Sequence, residues 1–142
     1  MKPILEFKQT SHLDPALTDP KNRALHADKL IGRWLNTSRA TRGIAECRIE
    51  QQGELFNISL VGVGANGPIE WPRAAGRLLA NLDEEGGQRA VALVATFEFS
   101  FMEAQTYIRL NKGVLVVVLY LTFLDQSGRS NYVTREFFYG EN

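Results

Sequence analysis

From residue 31 to residue 139 the chain is a series of short β-branched and aromatic runs divided by turn-forming residues at near-regular spacing. The runs are 31–37, 42–51, 54–63, 74–82, 88–100, 103–111, 113–124 and 131–139. Between them stand "TSRAT", "QQG", "GANGP", "DEEGG", "NKG" and "DQSGRS", each supplying the Gly, Asn, Asp or Ser that tight turns favour for reasons of φ and local hydrogen bonding. Only near Met102 is there no Gly or Pro, but one strand over 88–111 would far exceed the usual length of about three to ten residues, so a hairpin is expected there. This is the pattern of an all-β sandwich or barrel. Eight consecutive strands on hairpin-length links predict an antiparallel up-and-down meander, and closing it removes two unprotected edges. The expected fold is therefore an all-β, eight-stranded antiparallel up-and-down β-barrel. An interior of that size is just filled by side chains or holds one small ligand.

Residues 1–29 have another texture. They hold three of the five prolines and both histidines and show no period-two alternation. Within "TDPKNRALHADKL", Asp19 is a plausible N-cap, Pro20 suits the first helical position, and Ala24, Leu25 and Leu30 supply an apolar face, so a short helix is expected. The chain thus divides into an N-terminal leader with a short helix, 1–29, and a barrel domain, 30–142. At 142 residues it suits one domain that buries roughly two-thirds of its unfolded surface. Acidic and basic side chains balance at 16 each, which argues against a nucleic-acid partner. Cys47 is the only cysteine, so no intrachain disulfide forms and no oxidising compartment is required. Glu6 and Lys8 interrupt what would be a signal peptide, and no later run reaches the roughly eighteen apolar residues of a membrane span. A cytoplasmic protein with no membrane partner is the expectation.

Alternation along a strand sorts inside from outside. Leu93, Ala95, Phe97 and Phe99 read as inward against Thr96 and Glu98; Ala45, Cys47 and Ile49 read as inward against Glu46, Arg48 and Glu50; Phe56, Ile58 and Leu60 read as inward against Asn57 and Ser59. "VLVVVLYLTFL" is different, because Leu115, Val117, Leu119, Leu121 and Phe123 lie on one face and Val114, Val116, Val118 and Tyr120 on the other. Both faces are apolar, so a cover for the outer one is expected. The leader folded back and the same strand of a second subunit are the two candidates, and the second predicts a homodimer or higher homo-oligomer.

"GRWLN" at 32–36, after a short helical segment and before a β meander, resembles the opening of the calycins, the lipocalin and avidin-like barrels. In that superfamily the first-strand Trp plugs one barrel end and a basic residue of the last strand packs over it, so the resemblance implies these roles for Trp34 and for Arg135 in "YVTREFF". It also implies a ligand role for Asn36, although the "NTSRAT" turn gives that amide a local use as an Asx turn. The stretches "WLNTSRATRGI" and "FLDQSGRSNYVTREFF" are similar to a group of small bacterial proteins, a likeness of fold that assigns no activity.

The function expected is binding of a small apolar or amphipathic molecule. Its walls would be Trp34, Phe56, Phe97, Phe99 and Leu119, and Arg129 and Tyr132 would orient it at the rim. Asp125 pairing with Arg129 is the structural alternative for that rim. Two other functions compete: a small cyclase or isomerase that holds its substrate in a near-attack shape, and an interaction protein with a packed barrel. No cofactor, metal or catalytic residue is expected. Cys47 falls on an inward phase where burial makes a thiol inert. Asp83, Glu84 and Glu85 read as a solvated turn, "GVGANG" lacks the ending of a phosphate loop, and His12 and His26 lie in the leader. Trp71, beside Pro72, is placed in a rim loop where it guards an entrance or packs on the leader.

Overall fold

A computed structural model of the protein describes residues 27–80 and 90–141. They form nine strands: β1 (Gly32–Asn36), β2 (Ile44–Gln52), β3 (Leu55–Gly64), β4 (Gly67–Glu70), β5 (Ala74–Ala80), β6 (Ala90–Glu98), β7 (Met102–Asn111), β8 (Val114–Phe123) and β9 (Tyr132–Gly140). Eight of them run antiparallel around a closed barrel, each pairing with the strands before and after it, and β1 joins the ends by lying between β2 and β9. The helix expected in the leader falls on residues outside those described, apart from Ala27–Leu30. There the Leu30 N–H donates to the Ala27 carbonyl at 2.9 Å in a single turn. No helix among the described residues is long and apolar enough to cross a membrane.

The ninth strand is an addition to the expected eight. β3 is ten residues long, and β5 pairs only with its first part, Phe56–Ile58 against Ala74–Gly76. The rest of that edge would leave backbone donors and acceptors without partners. β4 supplies them, pairing Val61–Gly64 with Gly67–Glu70 across a turn at Ala65 and Asn66. The hairpin expected near Met102 forms as well, with the Phe99 N–H donating to the Met102 carbonyl at 2.8 Å. Hydrogen bonding there does the work of the missing Gly or Pro.

The core is one contiguous cluster inside the barrel. Phe97, Phe138, Ile49, Ile58, Leu60, Leu93, Ile108, Leu115, Val117 and Cys47 are almost fully buried. Cys47 and Ile49 lie inward as their phase predicts, while Ala45 is only half-buried, because a bulge between Ile44 and Glu46 hands the inward position to Ile44. Trp34 is buried at the end formed by Ala27–Ile31, the β7–β8 turn and the end of β9, beside buried Ala27 and Leu30. Its indole N–H donates to the Leu30 carbonyl at 2.9 Å.

The outer wall carries an apolar strip. Val114, Val116 and Val118 of β8 are half-buried and Tyr120 is exposed, and on β9 the side chains of Val133, Phe137 and Tyr139 are exposed beside them. Facing in β9 is sharply divided: Phe138 is 0% exposed and Phe137 41%. Replacing Phe138 by Ala should therefore cost about 3–5 kcal/mol in urea unfolding, and the same change at Phe137 about 1 kcal/mol or less. Equal losses would mean that the two faces of β9 are assigned wrongly.

Candidate functional site

β1 ends early, and the site is built where it stops. Asn36 turns the chain out of the strand: its Oδ1 accepts the Ser38 N–H at 2.8 Å in an Asx turn, and its Nδ2 donates to the Ile44 carbonyl at 2.8 Å. Beyond Leu35, which pairs with Glu46, β2 has no further partner in β1, and a gap opens between β2 and β9. Glu136 of β9 bridges it. Its Oε2 accepts the Ile44 backbone N–H at 3.0 Å, and its Oε1 accepts Asn36 Nδ2 at 3.1 Å and the Thr41 hydroxyl. Side chains thus stand in for the backbone that a longer first strand would have provided. At Gly43 a Cβ would sit 2.6 Å from Glu136 Oε2, so a larger residue there would push the carboxylate out of this position.

Above this bridge lies a cleft of about 190 Å³, lined on the β9 side by Tyr132, Thr134 and Glu136 and on the β2 side by Arg42, Gly43 and Ile44. Leu119 and Leu121 of β8 line it as well, and the wall from β3, β4 and the segment after β4 is Gly62, Val63, Ile69 and Trp71. The Trp71 ring stands edge-on to Phe97 and Phe99, with centroids 5.4 and 5.0 Å apart. Gly62 leaves room for it, since a Cβ there would lie 3.1 Å from the indole nitrogen. The cleft therefore joins apolar and aromatic walls to one carboxylate held by three donors.

The residues singled out in the sequence scatter around this site. Leu119 and Tyr132 line the cleft, Asn36 holds its carboxylate from behind, and Phe97 and Phe99 support Trp71. Trp34 is buried at the opposite end, and Phe56 belongs to the same end, at the start of β3. Arg129 is committed to its own loop. It donates to Asp125 Oδ2 at 2.8 Å and to the Ser127 hydroxyl at 3.0 Å, and its guanidinium lies 4.1 Å from the centroid of the Phe123 ring. Hydrogen bonds from Ser127, and then from Arg129, hold the Asp125 carboxyl below the usual carboxylate range.

Arg135 corrects the expectation drawn from the calycins. It points outward, its guanidinium 5.4 Å from the centroid of the exposed Phe137 ring, and it does not cover Trp34. Gly140 lies against that indole instead. Glu136, which the alternation pattern does not single out, takes the inward phase with Thr134 and Phe138. A charged residue in step with Phe138 is the signal that could find it, and it is masked because Phe137 and Tyr139 make the other face equally apolar.

Two more hollows lie on the outer wall. One, of about 380 Å³, is lined by Glu46, Arg48, Glu50, Glu70, Arg73 and Trp71 among others, and its charges largely answer one another: Glu46 bonds to Arg33 at 2.5 Å and to Arg48 at 3.2 Å. Arg33 holds the Glu46 carboxyl below its ordinary range. The other spreads over β5 to β8 between Arg77, Glu98, Tyr107 and Tyr120 and is open to solvent. Cys47 sits under the wall, where burial pushes its thiol up to about 12, as expected of an inert sulfur. His12, His26 and Asp83–Glu85 fall outside the described residues. The chain matches no protein-family model, no curated protein and no solved structure.

Proposed function

We propose that the protein is a small-molecule-binding barrel, calycin-like in architecture, that takes an amphipathic ligand in the cleft between β2 and β9. The observation that carries this reading is the cleft itself: an apolar and aromatic hollow with one fixed, polar anchoring group, Glu136. The deep interior is occupied by Phe97, Phe138, Ile58 and their neighbours, so the ligand site moves from the lumen to the open end. Trp34 and Phe56 then serve to close the far end. A cleft of about 190 Å³ suits one ring or a short chain, since a cavity of about 150 Å³ takes benzene.

Thr134 is half-buried and lines the cleft, which makes it the place to block it. In a fragment screen followed by nuclear magnetic resonance, bound fragments should shift the Trp71 indole N–H and the Gly43 amide, and Thr134→Phe should weaken them at least about tenfold while leaving the fold intact. Fragments that bind Thr134→Phe as well as the wild type, or that shift neither signal, would overturn the assignment.

A second reading rests on the apolar strip of β8 and β9, which suits an isologous contact with a second copy. It predicts a dimer in sedimentation equilibrium that Val118→Lys dissociates. A monomeric wild type would contradict it.

A further inference from the structure

We propose that the ligand of the cleft is a small organic cation, an ammonium group carried on a single ring or short apolar chain; this rests on the reading of the cleft as a binding site. Three donors converge on Glu136, two on Oε1 and one on Oε2. A carboxylate has about four acceptor directions, so one remains, on Oε2. The three donors are neutral: an amide, a hydroxyl and a backbone N–H. Among the described residues no Lys, Arg or His lies within ion-pair distance of Glu136, and the partners these residues give its charge are dipoles. An ammonium ion supplies both the missing donor and the missing charge.

The walls favour the same ligand. Trp71 and Tyr132 offer aromatic surface, which attracts a cation within about 6 Å of a ring centroid. Leu119, Leu121 and Ile69 take the apolar body. Arg42 lines the same cleft but is exposed, so solvent screens its charge from a cation seated on Glu136. A carboxylate ligand would meet Glu136 instead, a like charge at close range.

Three probes of one shape separate charge from fit: benzylamine, benzyl alcohol and benzoate, each titrated into the full wild-type chain while the Trp71 indole N–H and the Gly43 and Ile44 amides are followed by nuclear magnetic resonance. The ammonium should bind at least about tenfold more tightly than the alcohol, lose affinity as salt is raised, and shift all three signals; benzoate should shift none. In Glu136→Gln the preference for the amine over the alcohol should disappear while alcohol binding stays within about threefold. Equal binding of amine and alcohol to the wild type would overturn the cation and leave the binding cleft standing. Tighter binding of benzoate would overturn it in favour of Arg42 as the anchor. If no probe shifts these signals the cation is overturned too, and the fragment screen with Thr134→Phe decides the cleft separately. Should Glu136→Gln fail to fold, the comparison of the three probes on the wild type still distinguishes a cation from a neutral or anionic ligand.

Discussion

The barrel closes through β1, whose five residues have to pair with β2 along one side and with β9 along the other. Its seam with β9 holds only three residue pairs, Trp34 with Gly140, Leu35 with Tyr139 and Asn36 with Phe138. Further bonds lengthen it at both ends. The Glu141 N–H donates to the Arg33 carbonyl and the Thr37 N–H to the Phe137 carbonyl, each at 2.9 Å, and Arg33 bonds to the Glu141 carboxylate at 2.6 Å. Past Thr37 the backbone leaves the wall, and Glu136 takes over. An open sheet would expose the β2 and β9 edges and the buried face of Trp34 together, so the core depends on this short strand staying in register.

The two barrel ends consequently differ. At one, Trp34 and Leu30 cover the core and the indole N–H has its acceptor. At the other, the early end of β1 leaves a gap that is bridged by side chains and not by backbone, and that gap opens into the cleft. The polar groups of the proposed binding site are thus the same groups that complete the wall. Asn36 at the end of β1 and Thr41 in the β1–β2 connection fix the carboxylate, and the missing Cβ of Gly43 leaves it room beside the start of β2.

Much of the fold is legible in the sequence because turn chemistry and strand length are local. Each of the eight expected runs overlaps a barrel strand, with ends that differ by a few residues, and even the hairpin at Met102 follows from length alone. β4 escapes because it answers a non-local need, the unpaired upper edge of β3. The site is harder to read. Period-two alternation locates faces only where one face is polar, and in "YVTREFFYG" both carry aromatics, so the superfamily analogy draws attention to Arg135 when Glu136 is the inward residue. Nor can spacing show that Asn36 and Thr41, 100 and 95 positions away from Glu136, share its carboxylate. Trp71 can be placed at an opening, but not its two edge-on contacts with Phe97 and Phe99.

Closure of the sheet by β1 against β9 is tested most directly by cross-strand proton contacts. In a nuclear Overhauser spectrum the backbone protons of Leu35 should show contacts both to Glu46 and to Tyr139, with the Trp34 ring close to Gly140. Contacts from Leu35 to Glu46 alone, with none to β9, would mean an open sheet and would contradict a closed barrel.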